Sequence, residues 1–184
     1  MKLMLAVLAA FAVLVTGASA VDIPKKTRDF IDKATVANKF EIDTSKLAQK
    51  FGQNAEVKTF ADQMIADHTK AGQDFHAALK EASIEPPSEM LDAAHMAKYV
   101  KLRVFTTERG FDSAYVDEQL GAHEQAIDLF KDYAATGPTP ALKDFASKTL
   151  PTLEHHLAMI KDIDKNLRQE SAATGASTGN AGRQ

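Results

Sequence analysis

Apolar residues recur at intervals of three and four along four long stretches of this chain, the spacing that places side chains on one face of an α-helix. These stretches cover about residues 27–51, 54–82, 112–135 and 141–169. A shorter and weaker apolar pattern over residues 90–105 predicts another helix, inside the long connection formed by residues 83–110. The pattern therefore predicts an all-α protein with four long helices and one helical crossover between the second and the third.

Short turns separate the first long helix from the second and the third from the fourth. Residues 52–54 form one turn and residues 136–140 form the other. Asn54 and Asp112 stand where the second and third long helices begin, and both are predicted as N-caps. Pro151 lies inside the fourth helix and is expected to bend it. Two hairpins joined by one long crossover predict a four-helix bundle with ferritin-like connectivity.

Each of the four long apolar faces is interrupted once by an ionisable residue: Glu41, His68, His123 and His156. Burial of an unpaired ionisable group is costly, so we expect these side chains to meet one another, a metal ion, or both. At a rise of about 1.5 Å per residue, all four fall roughly 16–21 Å from one end of the bundle if the two turns lie at opposite ends. The four residues are therefore predicted to share one layer.

Three neutral imidazoles and one carboxylate form a ligand set that suits Zn²⁺ and that could also hold Fe, Mn, Ni or Cu. The sequence thus predicts one transition-metal ion held by these four residues, with Asp67 and Tyr115 as hydrogen-bonding partners around them. The alternative needs no metal: Glu41 pairs with one protonated histidine, and the other histidines bond each other, Tyr115 or a buried water. The residue types leave both interpretations open and do not identify the ion.

The first twenty residues have the features of a cleaved export signal. An apolar stretch over residues 3–15 is followed by the small residues Ala-Ser-Ala at 18–20. Because this stretch is short for a membrane span, the mature chain is predicted to start near residue 21 in the periplasm, with a retained anchor or peripheral association with the envelope as alternatives. Residues 21–169 form the predicted helical domain, and residues 170–184 form a predicted disordered tail rich in Ser, Ala, Gly and Thr.

The composition bears on several classes of function. The chain contains no cysteine, so it has no thiol chemistry and no disulfide bonds. Its net charge of −3 comes from well-mixed positive and negative residues, which argues against nucleic-acid binding. The predicted mature part shows no transmembrane segment, no Gly-rich phosphate loop and no Ser-containing nucleophile elbow. These features identify no protein partner. A metal site with four protein ligands packed between helices is expected to be closed, which favours a non-enzymatic protein.

Four ordered motifs resemble those of a bacterial family. They are Ala37-Asn38-Lys39-Phe40-Glu41, Phe60-Ala61-x-x-Met64-Ile65-x-Asp67-His68-Thr69, Phe111-Asp112-x-x-Tyr115 followed by His123, and Leu150-Pro151-x-Leu153-x-x-His156-Leu157. The chain over about residues 30–167 is similar to the domain-of-unknown-function 4142 (DUF4142) family, often labelled "predicted outer membrane protein". The resemblance implies a ferritin-like helical bundle, and it implies no settled biochemical activity.

Ferritin-like di-iron proteins hold their metals with a Glu from each of two helices and a Glu-x-x-His motif from each of the other two. In this chain Ile65 and Leu153 stand at the Glu positions of the two motifs, so no di-iron centre is expected. The sequence favours an exported helical-bundle protein that binds one metal ion, with a role in envelope stress or metal handling. A metal-dependent enzyme or sensor, and a partner-binding bundle with a structural Glu/His network, stay open as alternatives.

Overall fold

The computed structural model describes residues 22–104 and 110–180, with side chains described as far as residue 173. Helices make up most of this part of the chain, and no strand occurs among the described residues. The helices are α1 (Lys25–Phe51), α2 (Ala55–Glu81), α3 (Ala93–Val104), α4 (Phe111–Thr136) and α5 (Pro140–Asn180). The all-α class and the helix inside the crossover are confirmed. The predicted export signal, residues 1–20, lies outside the described residues.

Asn54 caps α2, as the sequence predicts. Its side-chain oxygen accepts hydrogen bonds from the backbone N–H groups of Glu56 at 2.8 Å and Val57 at 3.3 Å. These donors belong to the first turn of the helix and have no partner within it, so the cap stabilises the start of α2.

Asp112 does not cap α4, and the prediction that it would is wrong. Gly110 holds the N-cap position, while Asp112 lies in the first turn of α4. Its carboxylate instead accepts hydrogen bonds from the backbone N–H groups of Gln53 at 3.0 Å and Asn54 at 2.8 Å. The reason is that these two donors, in the turn between α1 and α2, have no helical partner of their own. Asp112 therefore joins the start of α4 to the α1–α2 turn.

The α1–α2 turn and the α4–α5 turn lie at opposite ends of α1. The hydroxyl of Thr27, at the start of α1, is 2.9 Å from the hydroxyls of both Tyr133 and Thr139, which lie near the end of α4 and in the α4–α5 turn. The other end of α1 leads into the turn that Asp112 holds. This arrangement meets the condition under which the sequence predicts a single layer of ionisable residues.

Helix α5 is longer than the sequence predicts. It continues to Asn180, whereas the apolar pattern predicts an end near residue 169 and a disordered tail beyond it. Residues 168–173 are exposed, so this part of the extension buries no apolar face. Ala172 and Ala173 have the highest intrinsic helix propensity of any residue type, and no proline interrupts the segment. Pro151 lies inside the same helix, where the sequence places it.

The long helices contact one another in a closed order: α1 contacts α2 and α4, and α5 contacts the same two helices. The crossover helix α3 contacts α1 and α4. None of the described helices has the length and hydrophobicity needed to cross a lipid bilayer. These contacts fit the predicted hairpin connectivity, while the ferritin-like classification stays a prediction.

Two clusters of buried apolar side chains fill the interior. The first apolar cluster includes Phe30, Ala34, Phe75, Phe130, Tyr133, Phe145 and Leu153. The second apolar cluster includes Leu47, Phe60, Met64, Phe111, Tyr115 and Ile160. Along every long helix, the ionisable residue on the apolar face falls between residues of one cluster and residues of the other. A polar layer therefore separates two apolar halves of the core.

Candidate metal centre

The polar layer contains the four residues that interrupt the apolar faces, and all four are buried. Their exposed fractions are 4% for Glu41, 7% for His68, 1% for His123 and 1% for His156. One ring nitrogen from each histidine lies within 4.8 Å of one from each of the others. The carboxylate of Glu41 borders this group, with Oε1 4.0 Å from Nδ1 of His123. The helices thus bring together side chains that are up to 115 positions apart in the chain.

Each histidine has one ring nitrogen next to an oxygen acceptor outside the group. The pairs are His68 Nδ1 with Asn38 Oδ1 at 3.0 Å, His123 Nδ1 with the backbone oxygen of Gln119 at 2.9 Å, and His156 Nε2 with Asp67 Oδ2 at 2.9 Å. A backbone or carboxylate oxygen can only accept, so His123 and His156 donate their N–H groups to these oxygens, and His68 does so to the amide oxygen of Asn38. These bonds fix the tautomer and the orientation of each ring.

The other nitrogen of each ring has no hydrogen-bond partner among the described residues. These atoms are Nε2 of His68, Nε2 of His123 and Nδ1 of His156, all fully buried. In the tautomers set by the outer hydrogen bonds, each of them carries a lone pair and no proton. Three buried acceptors without a donor are costly, and one cation between them would satisfy all three. Histidine ligands whose far N–H donates to an oxygen are the usual arrangement around a protein-bound metal.

Burial keeps the three imidazoles neutral. It lowers the pKa of His68 well below its ordinary value of 6.5, and the neighbouring His123 and His156 lower it further. Burial also lowers the pKa of His123 and of His156, although the hydrogen bond to Asp67 partly opposes this for His156. A neutral imidazole is the form that binds a metal ion, so the three histidines can bind one without first losing a proton.

Glu41 differs from the histidines in its protonation. Burial raises its pKa to about 8, outweighing the amide of Gln119 and the charges of His95 and Lys98, which lower it. Without a cation the side chain is therefore mostly protonated at neutral pH, and its Oε2 has no partner among the described residues. The group of side chains whose candidate ligand atoms lie within 4.8 Å of one another consists of the three histidines and does not include Glu41. Its predicted role as a fourth ligand stays a prediction.

The two predicted surrounding partners occupy different positions. Asp67 is half-exposed and accepts the hydrogen bond from His156 described above. Tyr115 is fully buried in the second apolar cluster, where its hydroxyl lies 2.8 Å from the hydroxyl of Ser45. Burial raises the pKa of the Tyr115 phenol above its ordinary value, so it stays protonated. Within the described part of the chain, Tyr115 makes no hydrogen bond to the four residues of the layer.

Sequence reasoning missed two polar residues that hold the histidines. Asn38 contacts His68 from α1, and Gln119 is the residue whose backbone oxygen accepts from His123. The amide nitrogen of Gln119 also donates to Thr44 at 3.2 Å. A signal was present in the spacing, since Asn38 precedes Glu41 by three residues and Gln119 precedes His123 by four. Both spacings place the amide on the same helix face as the ionisable residue.

The three remaining histidines lie outside the layer. His76 on α2 and His155 on α5 are exposed, and His76 lies 3.3 Å from Glu89. His95 on α3 is partly buried, 2.8 Å from Asp92 and against the ring of Phe40. His76 and His155 therefore offer matched controls for experiments on His68 and His156, because each pair has one histidine on α2 and one on α5.

The family model described as "Domain of unknown function (DUF4142)" matches residues 14–163, so the chain belongs to this family. This match confirms the family resemblance carried by the four sequence motifs. No curated protein and no solved structure matches the chain. The family description names no activity, so the site itself is the basis for assigning a function.

Proposed function

We propose that this member of the DUF4142 family is an exported metal-binding protein that holds one transition-metal ion through His68, His123 and His156. The observation that carries the proposal is the buried cluster of three histidines: one ring nitrogen of each lies within 4.8 Å of one from each of the others. Each ring is fixed by an oxygen acceptor at one nitrogen and has a buried, unpartnered nitrogen on its other side. Glu41 stands beside them as the one carboxylate of the layer, able to supply a fourth ligand on losing its proton.

The structural network without a metal explains less of the geometry. A neutral imidazole has one N–H, and all three rings direct theirs to oxygens outside the group, so the rings have none left to donate to each other. Protonated Glu41 has a single proton and can satisfy only one of the three acceptors. Unless a buried water donates to them, two buried nitrogens would then lack a partner, whereas a bound cation alone accounts for all three.

The ligand set indicates a class of ion. Three imidazoles suit Zn²⁺ and also Fe, Mn, Ni and Cu, so elemental analysis has to name the ion. A di-iron centre is not proposed, because Ile65 and Leu153 stand where the Glu-x-x-His motifs would supply carboxylates.

The fold and the compartment belong to the same proposal. The closed order of helix contacts and the helical crossover support a ferritin-like four-helix bundle. The apolar stretch and the Ala-Ser-Ala sequence before residue 21 support export to the periplasm. A metal-binding protein in that compartment would act in metal handling or in envelope stress.

Elemental mass spectrometry on untagged mature protein, purified without a chelator, tests the proposal. Wild type is expected to carry close to one equivalent of one metal, and the His68→Ala/His156→Ala variant to carry none. The matched control is His76→Ala/His155→Ala, which removes two exposed histidines from the same two helices and should keep the metal. A wild type that is metal-free as purified and also fails to take up Zn, Fe, Mn, Ni and Cu would overturn the proposal.

A further inference from the structure

A small cavity lies directly beside the histidines, on the side of the first apolar cluster. Its volume is about 40 Å³. Asn38, Glu41, His68 and His123 line one part of it. Three of these residues carry unpartnered buried atoms: Oε2 of Glu41, Nε2 of His68 and Nε2 of His123. The cavity is therefore adjacent to the groups that would hold the metal.

The remaining wall of the cavity is almost entirely apolar. Phe75, Phe130 and Phe145 contribute aromatic rings, and Ala71 and Ala126 leave the space open because their side chains are short. A sphere the size of a water molecule takes roughly 10–15 Å³, so the cavity has room for on the order of three non-hydrogen atoms. The apolar wall disfavours an ion, which would lose its hydration without a partner there. The volume and the lining residues fit a small uncharged molecule.

A groove on the surface borders the cavity. It runs between α2 and α5, has a volume of about 540 Å³, and shares Ala71, Phe145 and Thr149 with the cavity as lining residues. These three side chains thus form a common wall between the groove and the interior. Asp67, which accepts the hydrogen bond from His156, also lines the groove. The α2–α5 groove therefore lies next to the cavity, on the side of the layer where Asp67 holds His156.

We propose that this cavity binds one uncharged molecule of two or three non-hydrogen atoms, which enters from the α2–α5 groove and binds the metal at a position the histidines leave open. The binding of this molecule to the ion rests on the proposed function, whereas its binding in the cavity does not depend on a metal. Three protein nitrogens leave at least one position of a tetrahedral ion for Glu41 or an exogenous ligand. The protein would then carry or sense a small molecule in addition to holding a metal.

Xenon binding to metal-free protein tests the cavity without the metal. We expect xenon to shift the NMR signals of the methyl groups of Ala71, Ala126 and Leu153 in wild type, since xenon binds against apolar cavity walls such as the one these residues form here. Ala126→Leu, which fills the cavity, should weaken xenon binding at least tenfold. Ala135→Leu on the same helix is exposed and should leave binding unchanged. Ala126→Val gives the same test with less overpacking, should the larger side chain impair folding.

Nitric oxide added to Fe(II)-loaded protein tests the contact with the metal. Wild type and Ala135→Leu should give the EPR signal of a high-spin iron nitrosyl, and Ala126→Leu should lose it at an equal iron content. Absence of xenon binding in wild type would overturn the cavity proposal whatever the metal content. Xenon binding in a protein that takes up no metal would instead overturn the proposed function and leave the cavity as a binding site. Bound iron with xenon binding but no nitrosyl would overturn the contact with the ion.

Discussion

The direction of each histidine N–H decides how the layer behaves. His156 is the clearest case, because its Nε2–H points at the carboxylate of Asp67 and its Nδ1 is left unpartnered in the core. A carboxylate behind an imidazole increases the basicity of the ring and fixes its orientation. The half-exposed Asp67 thus acts on the site through His156 and is not itself one of the proposed metal ligands.

Asp67→Ala should lower the metal affinity by about 10–100-fold, because His156 would lose its carboxylate acceptor while its own side chain is kept. Competition with a chromophoric chelator measures this change. Asp67→Asn retains an oxygen acceptor and should lose less affinity than the alanine variant. Asp62→Ala, an exposed position on the same helix, is the control and should bind metal as wild type does. Equal affinity in Asp67→Ala and wild type would show that the carboxylate has no part in the site.

Glu41 should make the metal-free protein less stable as the pH rises from about 5 to about 8. Its folded pKa, about 8, lies above its ordinary value of 4.5, so the folded state holds the proton more tightly than the unfolded state. The stabilisation is complete below pH 4.5 and is lost as the pH rises through 8, with a slope of at most about 1.4 kcal/mol per pH unit.

Urea unfolding of metal-free wild type and Glu41→Gln at pH 5 and pH 8 measures the effect of Glu41. The buried histidines contribute the opposite dependence, because their lowered pKa values weaken the fold as the pH falls below 6.5. They are present in both proteins, so the difference between the two isolates Glu41. Glu41→Gln should become more stable relative to wild type at pH 8 than at pH 5. A difference that stays constant with pH would show that Glu41 titrates alike in both states.

At the scale of the helices, the side chain of Asp112 connects the start of α4 to the α1–α2 turn through two hydrogen bonds. Asp112→Ala would remove the acceptor for two backbone N–H groups and should lower the free energy of unfolding by about 1–2 kcal/mol. Thermal unfolding measures the loss, and metal content should stay unchanged, because the layer lies far along the helices from this turn. Asp117→Ala, exposed on the same helix, should have little effect. A loss of equal size in both variants would contradict the special role of Asp112.

Sequence alone predicts these helices as far as the spacing of apolar residues reflects which helix face is buried. The apolar faces of α1, α2 and α4 are predicted to within a few residues, because burial of one face leaves a spacing of three and four. The same spacing exposes Glu41 and the three histidines as interruptions. Asn38 and Gln119 were missed because an amide on a helix is equally compatible with solvent. Asp112 was misassigned because the backbone N–H groups that donate to its carboxylate belong to another turn, which is distant in sequence.

For the whole molecule, the two apolar clusters carry the packing, and the end of α5 extends beyond them. Ending the chain after Gln169 should change the free energy of unfolding by less than about 0.5 kcal/mol, because residues 170–173 are exposed. Thermal unfolding of the shortened and full-length proteins checks this. Ending the chain after Leu157 is the contrasting variant, since it removes the buried Ile160 and Ile163 and should prevent stable folding. A clear drop for the shorter tail alone would show that the segment packs.

Metal loading should stabilise the molecule as a unit, because the three histidines come from α2, α4 and α5. A ligand that binds only the folded state at 100 times its Kd adds about 2.7 kcal/mol, by mass action. Scanning calorimetry with metal or with a chelator measures the gain as a rise in Tm. His68→Ala/His156→Ala should show no difference between the two conditions, while His76→Ala/His155→Ala should respond like wild type.

Hydrogen exchange would locate this gain within the molecule. Without metal, protection should fall first in the turns of α2, α4 and α5 around the polar layer, since the apolar clusters on either side need no ion to stay packed. A loss spread evenly over all helices would mean that the ion acts on global unfolding alone. No change on removing the metal would mean that the ion does not bind between the three histidines. The layer would then be held by its hydrogen bonds to Asn38, Gln119 and Asp67.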